Sequence, residues 1–441
     1  MSTRPIIQPG KGRWFSLLPL AGLAGLLGAV PLARADFQGS THLTLYEEDP
    51  INYSTTEAGG PVAALQKRLA KGQVKLKYDD EYGYLPAVLA ELKVPLSSQL
   101  LVFSKTSLHR EIISPTNARA IFFNDSVYVG WVRGAPYLEI SSADPKLGAV
   151  FHLLDQNESP KPQLARDNSC TECHVGPKTM GAPGHLVRSF ATDEQGVPEE
   201  VTGNVRVSHN TPYAERRGGW FVTGNFGRDS HLGNLIGEKD FARHRKDPAF
   251  RSNLADLSSF VNTTKFLRPT SDGVALMVLE HQVHMHNFLT RVNYEARISL
   301  LEYGHLKYLN AIVEALLKYL LFTDEPPLAD PVKGVSSFRQ DFEMSGPKDS
   351  QGRSLRHFDL QTRLFKYPCS FLIYSESFDQ LPTRMVEVIY RRLWDILAGE
   401  DQSGAFEKIP ADQKRAILEI LIATKTGLPD YWKLEGNPKP E

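Results

Sequence analysis

Cys170, Thr171, Glu172, Cys173 and His174 put two thiols three positions apart and an imidazole directly after the second. Two thiols at that spacing can reach one edge of a porphyrin and add across its two vinyl groups, giving two thioether bonds. The next residue then lies beneath the ring, where its imidazole can bind the iron from the proximal side. With 3 Cys and 13 His in 441 residues, roughly 0.0006 accidental matches to this five-residue pattern are expected.

Three other chemistries use paired cysteines. A thioredoxin-like dithiol needs a strand before the pair and a helix after it. Here Arg166-Asp167-Asn168-Ser169 precedes and Val175-Gly176-Pro177 follows. A structural zinc site needs four ligands, often from two knuckles, and only distant Cys369 and a histidine are left to complete one. A strained disulfide between Cys170 and Cys173 is the third alternative. If both thiols go to haem, Cys369 has no partner and the fold rests on packing instead of cross-links. Cys369 itself reads as a buried thiol at a strand start, between Pro368 and Ser370; the other reading is a redox-labile thiolate ligand.

The N-terminus agrees with haem attachment outside the cytoplasm. Arg4, Lys11 and Arg13 form a basic start, residues 14–32 are an apolar run, and Ala33-Arg34-Ala35 is a small-x-small cleavage site. That is the pattern of a Sec-type signal peptide over residues 1–35, cleaved after Ala35, with the periplasm as destination. An uncleaved anchor is the alternative, opposed by Pro19, Pro31 and the cleavage site. The whole chain has 50 basic and 51 acidic residues. Loss of a leader whose only charges are Arg4, Lys11, Arg13 and Arg34 leaves a mildly acidic chain, which gives no reason to expect nucleic-acid binding. No later apolar stretch is long enough to span a bilayer.

The motif resembles that of c-type cytochromes, through Cys170, Cys173 and His174. The resemblance implies one covalent haem c, held by Cys170 and Cys173, with His174 as axial iron ligand. It covers five residues. The chain lacks the downstream axial Met pattern of small class I domains, and as a whole it looks like the large single-haem cytochromes of exported bacterial proteomes, a likeness that suggests no specific reaction.

The elements that would position this motif give an α+β reading. Residues 36–165 are strand-rich. A helix is expected over 61–71, from Val62, Leu65, Leu69 and Ala70. Leu100-Leu101-Val102-Phe103 is a short apolar run. Residues 120–123 and 127–132 flank Asn124-Asp125-Ser126 as a hairpin. A second pair, 137–140 and 149–154, joins through Asp144-Pro145-Lys146. Residues 166–248 form an irregular haem-attachment region, part of a pattern-poor stretch from 155 in which Trp220-Phe221-Val222 is the one expected strand; wrapping a haem would supply the apolar core that such a stretch lacks. Residues 249–441 are mainly helical and are expected to pack on the haem segment. Ser271-Asp272 caps a helix to about 301, with Val274, Met277, Val278, His281, Met285, Phe288, Leu289 and Val292 on one stripe. Gly304 breaks it. Further helices are expected over 305–322, 382–399 and 410–425, and Phe371-Leu372-Ile373-Tyr374 reads as a strand.

The sixth iron ligand is narrowed by reach. A chain that rounds the ring edge travels about 20 Å, and n residues extend at most ~3.3–3.6 Å × n. Met180, six residues after His174, barely reaches, and Gly176-Pro177 opposes full extension. His185, eleven residues on, reaches roughly 36 Å. The long helix offers His281 and Met285 at i, i+4, with His284 beside them. His209 and His231, an open iron and Cys369 complete the field. Met and His on a helical stripe are commonly packing residues. Glu280, His281, His284 and His286 also suggest a second metal, though no His-Glu-x-x-His or paired Glu-x-x-His motif is present. Arg216-Arg217 reads either as a pair for haem propionates or as a solvated basic turn.

The leading functional expectation is a periplasmic monohaem electron carrier that serves a redox partner protein or a small redox substrate. The alternative is a haem oxidase or peroxidase-like enzyme with an open distal site; no second Cys-x-x-Cys-His is present for a dihaem peroxidase. A gas or redox sensor is the third class, and no signalling domain accompanies it.

Overall fold

The computed structural model describes residues 43–199 and 205–433. The expected signal peptide lies outside the described residues. Two helices lead into a sheet: α1, Gly60–Ala70, with a proline in its first turn, and α2, Leu85–Glu91. The strands β1 Leu100–Val102, β2 Arg119–Phe123, β3 Val127–Trp131, β4 Tyr137–Asp144, β5 Gly148–Asp155 and β6 Leu164–Arg166 follow in order. Each pairs antiparallel with the next, and β9, Trp220–Phe221, returns to pair with β1, so the sheet has seven strands in the order β6-β5-β4-β3-β2-β1-β9.

The turns explain the registers. The Asn124 side chain accepts the N–H groups of Ser126 (3.1 Å) and Val127 (2.9 Å), which closes the expected β2–β3 hairpin. Strands β4 and β5 both run further toward their turn than expected, because Asp144 Oδ1 accepts from Lys146 N (2.8 Å) and Leu147 N (2.9 Å) and tightens the connection. Gly148 then takes a φ of 73°, which a side chain resists. Side chains alternate across the sheet. Leu101, Phe122, Val129, Leu138 and Leu154 pack with Val62, Leu65, Leu85 and Val88 of α1 and α2. Leu100, Val102, Phe123 and Tyr128 face the helical half.

The pattern-poor stretch holds more order than expected: a single helical turn α3, Thr171–His174; the two-stranded pair β7 Arg188–Ser189 and β8 Val205–Arg206; and α4, Gly237–Lys246. Helix α4 escapes an apolar-periodicity reading because only Gly237 and Phe241 are buried. Its signature is electrostatic, with Glu238 and Asp240 in the first turn and Arg243, His244, Arg245 and Lys246 in the last.

Helix α5, Gly273–Tyr303, is 31 residues long, about 46 Å at the usual rise. Asp272 caps it and Gly304 ends it in the left-handed conformation, as the sequence predicts. It carries no single stripe: every residue from 273 to 289 is buried. α6 Asn310–Leu320, α7 Phe338–Met344, α8 Glu376–Asp379, α9 Thr383–Ala398 and α10 Ala411–Thr424 complete the helical half. Residues 371–374 form a 3₁₀ turn, not a strand. Ser370 Oγ accepts from Leu372 N, and Phe371, Leu372 and Ile373 are all buried, so no alternation exists to favour a strand. The fold is mixed α+β, with an N-terminal seven-stranded antiparallel sheet and a helical C-terminal half. No helix among the described residues is long and apolar enough to cross a membrane.

Asp272 accepts from Val274 N and Ala275 N with one oxygen, and from Val335 N, Ser336 N and Ser336 Oγ with the other. Asp272→Ala removes a helix cap and also strands loop donors. It is expected to cost about 3 kcal/mol in urea unfolding, beyond the ~1 kcal/mol of an ordinary cap; a loss near 1 kcal/mol would show the loop bonds contribute nothing.

His152 on β5 is 1% exposed and neither ring nitrogen has a hydrogen-bond partner. Burial, aided by Arg166, lowers its pKa to about 4. The unfolded chain has the ordinary value near 6.5 and takes up a proton as the pH falls below it, while the folded protein does not until about 4. The stability is therefore complete above pH 6.5 and lost toward pH 4. Replacing the residue in His152→Leu should flatten this loss, with up to about 2 kcal/mol less destabilisation between pH 7 and pH 5 than the unaltered protein shows.

Candidate functional site

The turn that carries the paired thiols is set by its own sequence. Asp167 accepts from Ser169 N (2.9 Å) and Ser169 Oγ (2.6 Å) and starts a 3₁₀ turn, residues 168–170, that runs directly into α3. Val175 is extended and stops it. On a helical turn, positions i, i+3 and i+4 share a side, so Cys173 and His174 lie on the face that Cys170 begins. Cys170 is half-buried, Cys173 is exposed, and both are free thiols. Burial pushes the Cys170 thiol up to about 12, with Asp167 and Glu139 adding to the effect. Among the described residues, no three His, Cys, Asp or Glu side chains converge as a metal-ligand set, so neither the zinc alternative at these thiols nor the second-metal reading of 280–286 has its ligands assembled.

His174 is oriented by one bond. Its Nδ1 lies 2.9 Å from the Gly184 carbonyl. A carbonyl only accepts, so the proton sits on Nδ1 and Nε2 carries the lone pair. Gly184 N donates back to the His174 carbonyl at 3.0 Å. Burial lowers the His174 pKa, against the Gly184 bond that raises it, with Arg119 and Arg188 lowering it further and Glu139 raising it. The imidazole is thus neutral, the form a metal binds, and its Nε2 makes no hydrogen bond with the described residues. The Phe151 ring packs on it at 4.6 Å between centroids.

His185 is brought to the same neighbourhood. Its ring lies 5.8 Å from Phe151 and 4.3 Å from Tyr128, and its Nε2 is 3.0 Å from Ser141 Oγ. Burial holds its pKa well below 6.5, with His286 and His174 adding repulsion. Asn287 of α5 grips the His185 backbone at both ends. His281 and Met285 are not brought to this side. At about 100° per residue, Met285 projects about 200° from Asn287 and His281 about 240°. His281 Nδ1 meets His209 Nδ1 at 2.7 Å, and its Nε2 meets Ser370 Oγ at 2.7 Å. Burial, then His286, lowers its pKa to about 3. Met285 is fully buried in the main core, as is Met180. His231 is neutral by its bonding, since Gly233 N donates to Nδ1 while Nε2 meets the Ser252 carbonyl. Cys369 is fully buried and burial raises its thiol pKa strongly.

Arg216 and Arg217 correct the reading of a solvated basic turn. Each is 1% exposed. Arg216 donates to Glu280 (2.9 Å), the Thr211 carbonyl (2.7 Å) and the His209 carbonyl (2.8 Å). Arg217 lies 3.6 Å from the other Glu280 oxygen and over the Phe226 ring at 4.2 Å, and none of its guanidinium nitrogens has a hydrogen-bond partner. The sequence signal for this cluster was Glu280, a lone carboxylate inside an otherwise apolar helical run. Such a group is buried only with a cation beside it. Phe151, Ser141, Gly184 and Asn287 carried no such signal, because their roles depend on strands and a helix meeting across long sequence separations.

The Arg216–Glu280–Arg217 cluster yields a prediction. Glu280→Gln leaves two buried cations without their anion and should cost about 3–5 kcal/mol in urea unfolding. Arg217→Met removes the cation that lacks hydrogen bonds and should cost much less; equal losses would contradict this arrangement.

No protein-family model, no curated protein and no solved structure matches the chain, so the chemistry of this site stands on its own residues.

Proposed function

We propose that the chain is an exported monohaem c-type cytochrome that carries electrons in the periplasm. One observation carries the reading: two free thiols and a neutral imidazole share one helical turn, and the imidazole's Nδ1 proton is already committed to the Gly184 carbonyl. A metal-bound histidine is oriented in this way, with its second nitrogen donating to a carbonyl. Cys170 and Cys173 would hold the porphyrin covalently and His174 Nε2 would ligate the iron. Haem supplies a one-electron ferrous–ferric couple. The protein's own part is to fix the imidazole plane through Gly184, to pack Phe151 against the ring of His174, and to place the Arg188 cation near the turn, Arg119 being paired with Glu139. A cation there favours the carboxylates that a porphyrin carries. The partner is a redox protein or a small redox substrate.

A second reading, a haem-dependent oxidoreductase with an open distal position, is favoured by the side-chain commitments above. His281 and Met285 point away from the His185 side, and His185 Nε2 is engaged with Ser141. Visible spectra of protein exported from a haem-maturing host separate the two. The electron carrier predicts a low-spin, six-coordinate spectrum in both redox states, loss of bound haem in a Cys170→Ser/Cys173→Ser variant, and a pyridine haemochrome for the unaltered chain. A high-spin spectrum with exogenous-ligand binding would transfer the assignment to the enzyme. Absence of haem from the unaltered chain would end both.

A further inference from the structure

We propose that Asn287 is a positioning residue for His174, acting through a single peptide unit to set the haem potential. The proposal rests on the haem reading above. The carbonyl that accepts from His174 Nδ1 belongs to Gly184. The N–H at the other end of that same peptide plane belongs to His185, and it donates to Asn287 Oδ1 at 3.0 Å. A peptide unit is planar and stiff, so fixing its N–H end fixes the direction of its C=O. Hydrogen bonds in series also polarise one another, so the Asn287 bond makes the Gly184 oxygen a better acceptor. The chain of contacts runs Asn287 Oδ1, the 184–185 amide, His174 Nδ1–H, and then the Nε2 lone pair.

Three further observations support a built arrangement. Asn287 is 1% exposed. Its Nδ2 donates to the His185 carbonyl at 2.8 Å, so the side-chain amide brackets one residue's backbone and cannot rotate without losing both bonds. Gly184 is required by the close approach: a Cβ there would lie 2.4 Å from Asn287 Oδ1 and 2.9 Å from Thr179 Cβ. Any larger residue would push the helix amide off the peptide that it holds.

A stronger bond to Nδ1–H raises the basicity of the imidazole and favours ferric over ferrous iron. Loss of the Asn287 bond therefore raises the potential. The test measures the midpoint potential of haem-loaded Asn287→Ala, Gly184→Ala, the double variant and Asn293→Ala. Asn293 is the control: it is also a buried amide on α5, but it donates to the Pro145 carbonyl, away from His174. The expected result is a ferrous/ferric ratio about threefold higher at fixed ambient potential in Asn287→Ala, ~28 mV for a one-electron couple. Gly184→Ala shifts the same way, the double variant shifts little further, and Asn293→Ala loses stability with no shift. Exchange of the His174 ring N–H quickens in Asn287→Ala alone among the two asparagine variants. The shift persists in a His185→Ala background; its disappearance there would route the effect through the His185 ring and overturn the proposal. An unchanged potential in fully loaded Asn287→Ala also overturns it while leaving the haem reading intact. Haem absent from the unaltered chain defeats that earlier reading instead. If Asn287→Ala does not fold, Asn287→Ser is read by the same criteria.

Discussion

A helix buried on nearly every side carries polar side chains whose partners must come from the interior, and this constraint organises the molecule. Helix α5 brings polar residues into the interior along most of its length. Gln282 donates to the Asn124 carbonyl and Tyr128 Oη, and His286 Nε2 donates to the Asp125 carbonyl, which pins the β2–β3 turn. Asn293 and Tyr294 donate to the Pro145 and Leu147 carbonyls and pin the β4–β5 turn. Arg291 donates to the Met180 carbonyl and Asn287 holds His185. Each of these bonds satisfies a group whose desolvation would otherwise cost 1–3 kcal/mol or so. Together they fix the sheet and the thiol-bearing segment against one rod.

The same burial sets the charge state of the interior. His185, His209, His231 and His284 all have pKa values held well below 6.5, with desolvation as the leading cause. The interior thus carries neutral imidazoles, while fixed positive charge sits on Arg216 and Arg217 against Glu280 and on Arg291 beside Glu295. Along the thiol-bearing turn Ser169, Glu172 and Cys173 are exposed, while Cys170 and His174 are half-buried.

Much of this was legible in the sequence, and the exceptions have physical causes. The β2–β3 hairpin was readable because Asn124-Asp125-Ser126 both breaks the apolar runs and supplies the turn's acceptor. The start and end of α5 were readable because Asp272 and Gly304 are strong cap residues. Phe371–Tyr374 has the composition of a strand, but four apolar residues have no period to distinguish strand from turn. Helix α4 is silent to apolar periodicity because charge, not hydrophobicity, marks it. Within the candidate site, Cys170, Cys173 and His174 were visible as a local pattern. The Gly184 carbonyl and Asn287 were invisible, since residues 184 and 287 meet only once α5 has packed beside the sheet.

The central claim is a porphyrin bonded to both sulfurs of one helical turn. Mass spectrometry of the tryptic peptide 167–178, taken from protein exported by a host that matures c-type haem, tests it most directly. The account predicts that peptide with one haem attached across Cys170 and Cys173. The same peptide with two unmodified thiols, or with a disulfide between them, would contradict it.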